Sequence, residues 1–324
     1  MQLRAFAAFS HLEEDQESRL LATTRERSFD AGENFLEHTE LSRDAYLIAE
    51  GRVDLKRNTS IGDLTLARLG PGEIVGEMSF LESFPRSVTA ETAEPTRLLL
   101  FDHAAVRATI EEDPVFEVAL YWAFWKSLSA KLRATNEYLL RFFEAGDDGG
   151  AAVAAPTPAE AVHVDVVKRR EVLRELALSN MEVNFFASLA EAKRLEPGQR
   201  LFAAGDEANE MFLVVDGRIM ISQHIPGAGE EALTFLERGE LFGEMALIDQ
   251  QPRNADARAT DDGEAVVLAI RKEVLNKVLD PQKASSIRLL RTLCSTLSRR
   301  VRDTNEKLVG WYLLAGGKVP SLEA

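Results

Sequence analysis

A duplication runs through almost the whole chain and limits its fold to two copies of one unit. Gly76-Glu77-Met78 recurs as Gly243-Glu244-Met245, 167 residues later, and Pro85-Arg86 recurs as Pro252-Arg253 at the same offset. Upstream, "FDAGENFL" (29–36) matches "LEPGQRLF" (195–202), and "AYLIAEGRVDL" (45–55) matches "EMFLVVDGRIMI" (210–221). Downstream, "LSAKLRATNEYL" (128–139) matches "LSRRVRDTNEKL" (297–308), now at an offset of 169. A drift of one to three residues is what small loop insertions produce. The unit is about 140 residues, the size of a domain rather than of a solenoid repeat.

Between the copies lies "EAGDDGGAAVAAPTPAEA" (144–161), rich in Gly, Ala, Pro and acidic residues, with almost nothing to bury. It reads as a flexible linker. The expected domains are therefore 1–144 and 162–324, with 145–161 between them. Each copy opens on an amphipathic helix. Short apolar stretches follow, bounded by Gly, Asp, Asn and Pro, such as "YLIAEG", "VDLKR", "VTAET" and "TRLLLFD". Strands separated by turns, with no helices between them, predict an antiparallel jelly roll. The fold class is mainly β with flanking helices: two tandem double-stranded β-helix (jelly-roll) domains, each closed by a long C-terminal helix.

Several function classes are disfavoured at this level. The net charge of −15 gives no overall attraction for nucleic acid or an anionic membrane. Cys294 is the only cysteine, which excludes an intramolecular disulfide framework and thiolate clusters. The longest apolar run, "VFEVALYWAFW", is broken by Glu117 and falls short of the roughly 18 residues that span a bilayer. No paired-carboxylate, Ser/His/Asp or phosphate-loop constellation signals catalysis, and no histidine spacing signals a metal. The expectation is a cytoplasmic, non-enzymatic protein with no cofactor.

The repeated motif has its own chemistry. Glycine lets backbone approach a ligand closely, and a helical turn starting near Glu77 or Glu244 leaves its first amides free to face an anion. Arg86 and Arg253, nine residues beyond the glutamates, carry a planar fork suited to phosphate oxygens. The glutamates accept hydrogen bonds only, so they suit a donor such as a sugar hydroxyl. A phosphate and a hydroxyl together describe a ribose phosphate.

"FGEMALIDQQPRNADA" in the second copy and "GEMSFLESFPRSVTA" in the first resemble the phosphate-binding cassette of cyclic-nucleotide-binding domains, the β-rolls of catabolite activator protein, protein kinase A regulatory subunits and cyclic-nucleotide-gated channels. The first copy departs from the family pattern with Val75 for Phe and Ser79 for Ala. The resemblance implies that Glu77 and Glu244 accept from the ribose 2′-hydroxyl and that Arg86 and Arg253 pair with the cyclic phosphate. It also implies that backbone at Gly76, Met78, Ser79, Gly243, Met245 and Ala246 forms the anion site. Ser87 and Asn254 follow the arginines and are nominated as further phosphate or base contacts. The implied ligand is cAMP, with cGMP or a cyclic dinucleotide as alternatives.

The closing helices carry a seam at alternating spacings of four and three: Tyr121, Trp125, Leu128, Leu132, Thr135, Leu139, Phe142, and then Leu290, Cys294, Leu297, Val301, Thr304, Leu308, Trp311. In the resembling helix of catabolite activator protein this seam is a dimer interface and a Thr-Ser pair reaches the base. Thr135-Asn136 and Thr304-Asn305 occupy the resembling positions and are nominated as base contacts. The two seams predict a pseudo-dimer within one chain or a homodimer. A linker of about 18 residues at up to about 3.3 Å each can return along a helix of about 30 residues at 1.5 Å each. The chain ends about ten residues past the second seam, so no DNA-reading winged helix is expected. Two readings follow: a nucleotide receptor that acts on an unidentified effector protein, or a scaffold whose rolls no longer bind nucleotide.

Overall fold

The computed structural model describes residues 2–141, 159–225 and 229–318. Two compact units emerge. One holds the chain up to Tyr138, with Pro281–Leu290 and the chain from Cys294 onward; the other holds Leu139–Asp280 and Arg291–Leu293.

In the first unit, α1 (Glu14–Ala22) leads into β1 (Thr24–Phe29), β2 (Asn34–Leu36), β3 (Ala45–Glu50), β4 (Val53–Thr59), β5 (Gly62–Leu69) and β6 (Ile74–Val75). A one-turn helix, α2 (Glu77–Leu81), interrupts the strands before β7 (Thr89–Thr92) and β8 (Thr96–Phe101); α3 (His103–Glu112) and α4 (Pro114–Arg141) close the copy. Proline at the first position of α4 fits a helix start, where its missing N–H costs nothing. The strands form two four-stranded antiparallel sheets, β1-β8-β3-β6 and β2-β7-β4-β5. Tyr46 pairs with Leu100 across β3 and β8, and Leu55 with Ala90 across β4 and β7.

The second copy repeats this plan. After β9 (Glu160–Ala161) come α5 (Val166–Glu175), α6 (Asn180–Leu189), β10 (Glu191–Leu195), β11 (Arg200–Phe202), β12 (Glu210–Asp216), β13 (Ile219–Ile225), β14 (Gly229–Leu236) and β15 (Leu241–Phe242). The short helix α7 (Met245–Asp249), β16 (Asp256–Ala259), β17 (Ala265–Arg271), α8 (Lys272–Val278) and the long α9 (Ile287–Leu314) complete it. Its sheets are β15-β12-β17-β10-β9 and β11-β16-β13-β14, so the added edge strand is β9. Most of the predicted linker, 145–158, and the seam residue Phe142 lie outside the described residues. The linker's last two residues, Glu160 and Ala161, are β9, paired with Arg194 and Lys193.

The two cores are superimposable in sequence. The first is built on Leu36, Ile48, Val53, Leu69, Val75, Ala90 and Leu98. Each has its counterpart, 166 or 167 residues later, in Phe202, Val214, Ile219, Leu236, Phe242, Ala257 and Ala265 of the second. The same face of each strand is thus buried in both copies, which is the period-two pattern that fixes register. Seam residues from Tyr121 to Leu139 and from Leu290 to Leu308 are buried as well, at 8% exposure or less. Most of α9 counts with the first copy's unit, where Cys294 Sγ lies 3.4 Å from the Tyr121 carbonyl oxygen. Burial pushes the Cys294 thiol well up, so it behaves as a small core residue.

Candidate ligand-binding site

In the first copy, β6 turns through Gly76 into α2. Gly76 has φ +89°, and a Cβ there would stand 2.5 Å from Arg86 Nη1 and 2.8 Å from the Asp44 carbonyl oxygen. Left-handed backbone and a guanidinium pressed against the Cα together require glycine. Arg86 is 3% exposed. Its fork donates from Nη1 to Gly76 O (3.1 Å), from Nη2 to Asp44 O (2.6 Å) and from Nε to Ser42 Oγ (3.0 Å). Burial lowers its pKa, while Tyr46, Glu40, Asp44 and Glu77 act in the opposite sense.

Glu77 is fully buried. Its Oε1 accepts from Lys131 Nζ at 2.5 Å, and the same ammonium donates to the Ile74 carbonyl at 2.6 Å. Its Oε2 is buried with no hydrogen-bond partner among the described residues. An orphaned buried carboxylate oxygen costs on the order of 1–3 kcal/mol until a donor reaches it. Such an oxygen is chemically matched to a hydroxyl, which can donate to it.

The second copy builds the same frame. Gly243 has φ +76°, and a Cβ there would stand 2.7 Å from Arg253 Nη1. Arg253 donates from Nη1 to Gly243 O and from Nη2 to Glu210 O, both at 2.7 Å. Burial lowers its pKa to about 10, opposed by Glu244, Glu210 and Asp206, so it is a cation at neutral pH. Here the frames differ. The counterpart of Ser42 is Ala208, and Arg253 Nε is buried without a partner. The guanidinium instead stands 4.2 Å from the ring centre of Phe202 and 5.5 Å from that of Phe212. In the first copy Leu36 and Tyr46 hold those positions. Glu244 is fully buried, as Glu77 is.

The other nominated residues divide. Met78 and Ser79 are buried in α2; Ala246 is buried and Met245 half-buried at the start of α7, so both short helices begin where the motif predicts. The Ser87 carbonyl accepts from Arg57 Nη1 and the Asn254 carbonyl from Gln223 Nε2, each at 3.0 Å. Thr135 and Asn136 are buried on α4, but the Thr135 hydroxyl donates to its own helix at Lys131 O. Thr304 and Asn305 are buried on α9 within the first copy's unit. The next residue, Glu306, takes Arg57 Nη1 at 2.6 Å and Nη2 at 3.3 Å. The structure thus gathers Gly76, Glu77 and Arg86 with Lys131 in one unit, and Gly243, Glu244 and Arg253 in the other.

Lys131 and Arg57 were not singled out in the sequence. For Lys131 a signal existed: Arg300 stands 169 residues later, so both closing helices carry a cation one turn before their Thr-Asn pair. Arg57 has Gln223 as its counterpart, and a position that changes character between copies announces itself only once its contacts are visible.

The sequence model of the cyclic nucleotide-binding domain matches residues 26–113 and 192–282, more than half of the chain. This chain belongs to the cyclic nucleotide-binding domain family. It is 23% identical over 289 residues to a cAMP-dependent protein kinase regulatory subunit of Mycosarcoma maydis, covering 84% of this chain and 46% of that protein. Over 132 residues it is 31% identical to the cyclic AMP receptor protein of Thermus thermophilus, covering 40% of this chain and 58% of that one. The chain spans about half the length of the first curated relatives it matches. Among solved structures it is similar to the regulatory domain of Toxoplasma gondii PKA with cAMP, at 15% identity and a TM-score of 0.32, covering 95% of this chain and 94% of that one. Among the described residues no helix is long and apolar enough to cross a membrane.

Proposed function

We infer that this chain is a cytosolic, non-enzymatic receptor for a cyclic nucleotide, with cAMP the ligand suggested by the names of its relatives. Glu77 and Glu244 accept from the ribose 2′-hydroxyl, and Arg86 and Arg253 hold the cyclic phosphate. The cassette amides of α2 and α7 complete the anion site. Ligand binding moves the cassette helices and with them the long helices, and an effector protein reads the change. The chain acts without nucleic acid or membrane. Its α4 and α9 seams meet as a pseudo-dimer, a reading supported by the contact of Cys294 with the Tyr121 carbonyl.

The observation that carries this reading is a pair of complementary orphans in matched cassettes. Glu77 Oε2 is a buried acceptor without a donor, and Arg253 Nε a buried donor without an acceptor. A ribose phosphate supplies what each lacks. Isothermal titration of the chain with cAMP and with cGMP is expected to show saturable heat. No heat with cAMP or with cGMP at high micromolar concentration would sink the receptor and leave the scaffold.

A further inference from the structure

The two cassettes hold sugar and phosphate alike, but the residue next to each differs in kind. Arg57 lies on β4, on the face that buries Val53 and turns Leu55 into the first core. Gln223 lies on β13, on the face that buries Ile219 and turns Ile221 into the second. Period two along a strand puts each of them on the inner face of its roll. Each is anchored at one point, the carbonyl of the residue after the phosphate arginine: Arg57 at Ser87 and Gln223 at Asn254, both 3.0 Å away. Ser87 and Asn254 follow the cassette arginines directly, so Arg57 and Gln223 are side chains held beside the two cassettes.

What each residue leaves unused decides what it can read. Arg57 has given both Nη1 hydrogens, to Ser87 O and Glu306 Oε1, and one Nη2 hydrogen to Glu306 Oε2. Its Nε is buried without a partner. The unused Nε–H and the second Nη2–H are the two prongs of one side of the guanidinium, a bidentate donor. Gln223 is 4% exposed, with one Nε2 hydrogen committed to Asn254 and Oε1 buried without a partner. What it offers is one acceptor beside one donor.

These are the complements of different purines. Guanine presents two adjacent acceptors, O6 and N7, which a bidentate arginine matches; adenine presents the N6 amino donor beside the N7 acceptor, which a glutamine matches. Glu306, fixed on Arg57, adds an acceptor-only group that suits the N1–H and N2 amino donors of guanine and repels the N1 lone pair of adenine.

We propose that the two sites read different bases: the first takes a cyclic nucleotide of guanine through Arg57, and the second one of adenine through Gln223. This rests on the receptor reading above and refines it at the first site. The test is competition calorimetry on the full chain with cGMP and cAMP, alone and together. In the unmodified chain each nucleotide is expected to fill one site tightly without displacing the other. With Arg253→Ala weakening the second site, the tighter site that remains, the first, is expected to prefer cGMP by at least about tenfold, and Arg57→Gln in that background to abolish the preference. With Arg86→Ala weakening the first site, the tighter second site is expected to prefer cAMP, and Gln223→Arg to move it toward cGMP. A first site that binds cAMP as tightly as cGMP while Arg57 is present overturns the proposal and leaves the receptor intact. Absence of binding by either nucleotide at either site overturns both.

Discussion

The cassette arginines show how one residue type is held in matched frames by different means. Arg86 uses Ser42 as a third anchor, whereas Arg253 replaces that hydroxyl with the ring faces of Phe202 and Phe212 and keeps Nε–H in reserve. Arg253→Ala is therefore expected to weaken nucleotide binding at the second site by about 1.5–3 kcal/mol, as for a charge-assisted hydrogen bond. Unchanged affinity in calorimetry removes Arg253 from the phosphate. The glutamate and arginine were legible in the sequence because a short loop carries both. For Lys131 the sequence shows only a cation shared by the two closing helices; its pairing with Glu77, 54 residues away, appears only in the folded roll. At the chain's start, burial lowers His11 to about 4 from its ordinary 6.5, helped by Lys126, while its Nε2 stays 2.7 Å from the Ala119 carbonyl. Between those two values the unfolded chain binds a proton that the folded chain refuses. Stability is full above about pH 6.5 and falls as pH drops toward 4, by on the order of 2 kcal/mol for this half-buried ring. His11→Gln keeps a donor for Ala119 without titrating, so urea melts of this variant at pH 7 and pH 5 are expected to differ less than those of the parent.

Among the elements, the short helix α2 is gripped at its end. Glu82 follows its last residue and accepts from Ser295 Oγ at 2.6 Å and Ser298 Oγ at 3.0 Å, both on α9. Arg302, one turn on, lies 3.5 Å from the Pro85 carbonyl and 5.5 Å from the ring of Phe84, and Glu306 completes the row on Arg57. Spacings of three, four and four keep these four residues on one face of α9. The seam face was legible in sequence as an apolar heptad. This second face was not, because serine, arginine and glutamate at helical spacing describe any solvated surface as well as they describe a clasp. If α2 moves when nucleotide binds at the first site, Glu82 is the lever that moves α9. Hydrogen exchange over 295–306 is expected to slow on nucleotide addition in the parent chain. In Glu82→Ala that response should be lost although the site still fills. A response of the same size in the variant would show that α9 is driven by another route.

For the whole molecule, the repeat foretold two rolls but not the unit in which the last helix packs. Alignment assigns α9 to the second copy because it follows that roll in the chain. Packing assigns most of it to the first, where Cys294 Sγ lies 3.4 Å from the Tyr121 carbonyl oxygen on α4; an apolar seam is stable only where another apolar surface covers it. Sequence periodicity marks which face is buried and says nothing about against what. The strands were legible because each core position recurs in the other copy, so two independent patterns agree; β9 was not, since two residues are too few to show a period. It follows that α9 stabilises the first roll more directly than its place in the chain suggests. Ending the chain after Ser286 would strip Glu82 and Arg57 of their α9 partners and Tyr121 on α4 of its contact with Cys294. Uncovering a buried side chain of that size costs about 1.5–3 kcal/mol, a large share of a domain's stability. Hydrogen exchange in β4, β7 and α2 of the first copy is expected to speed up at least tenfold in the shortened chain. Protection there equal to that of the full chain would mean that the first copy closes its seam without α9.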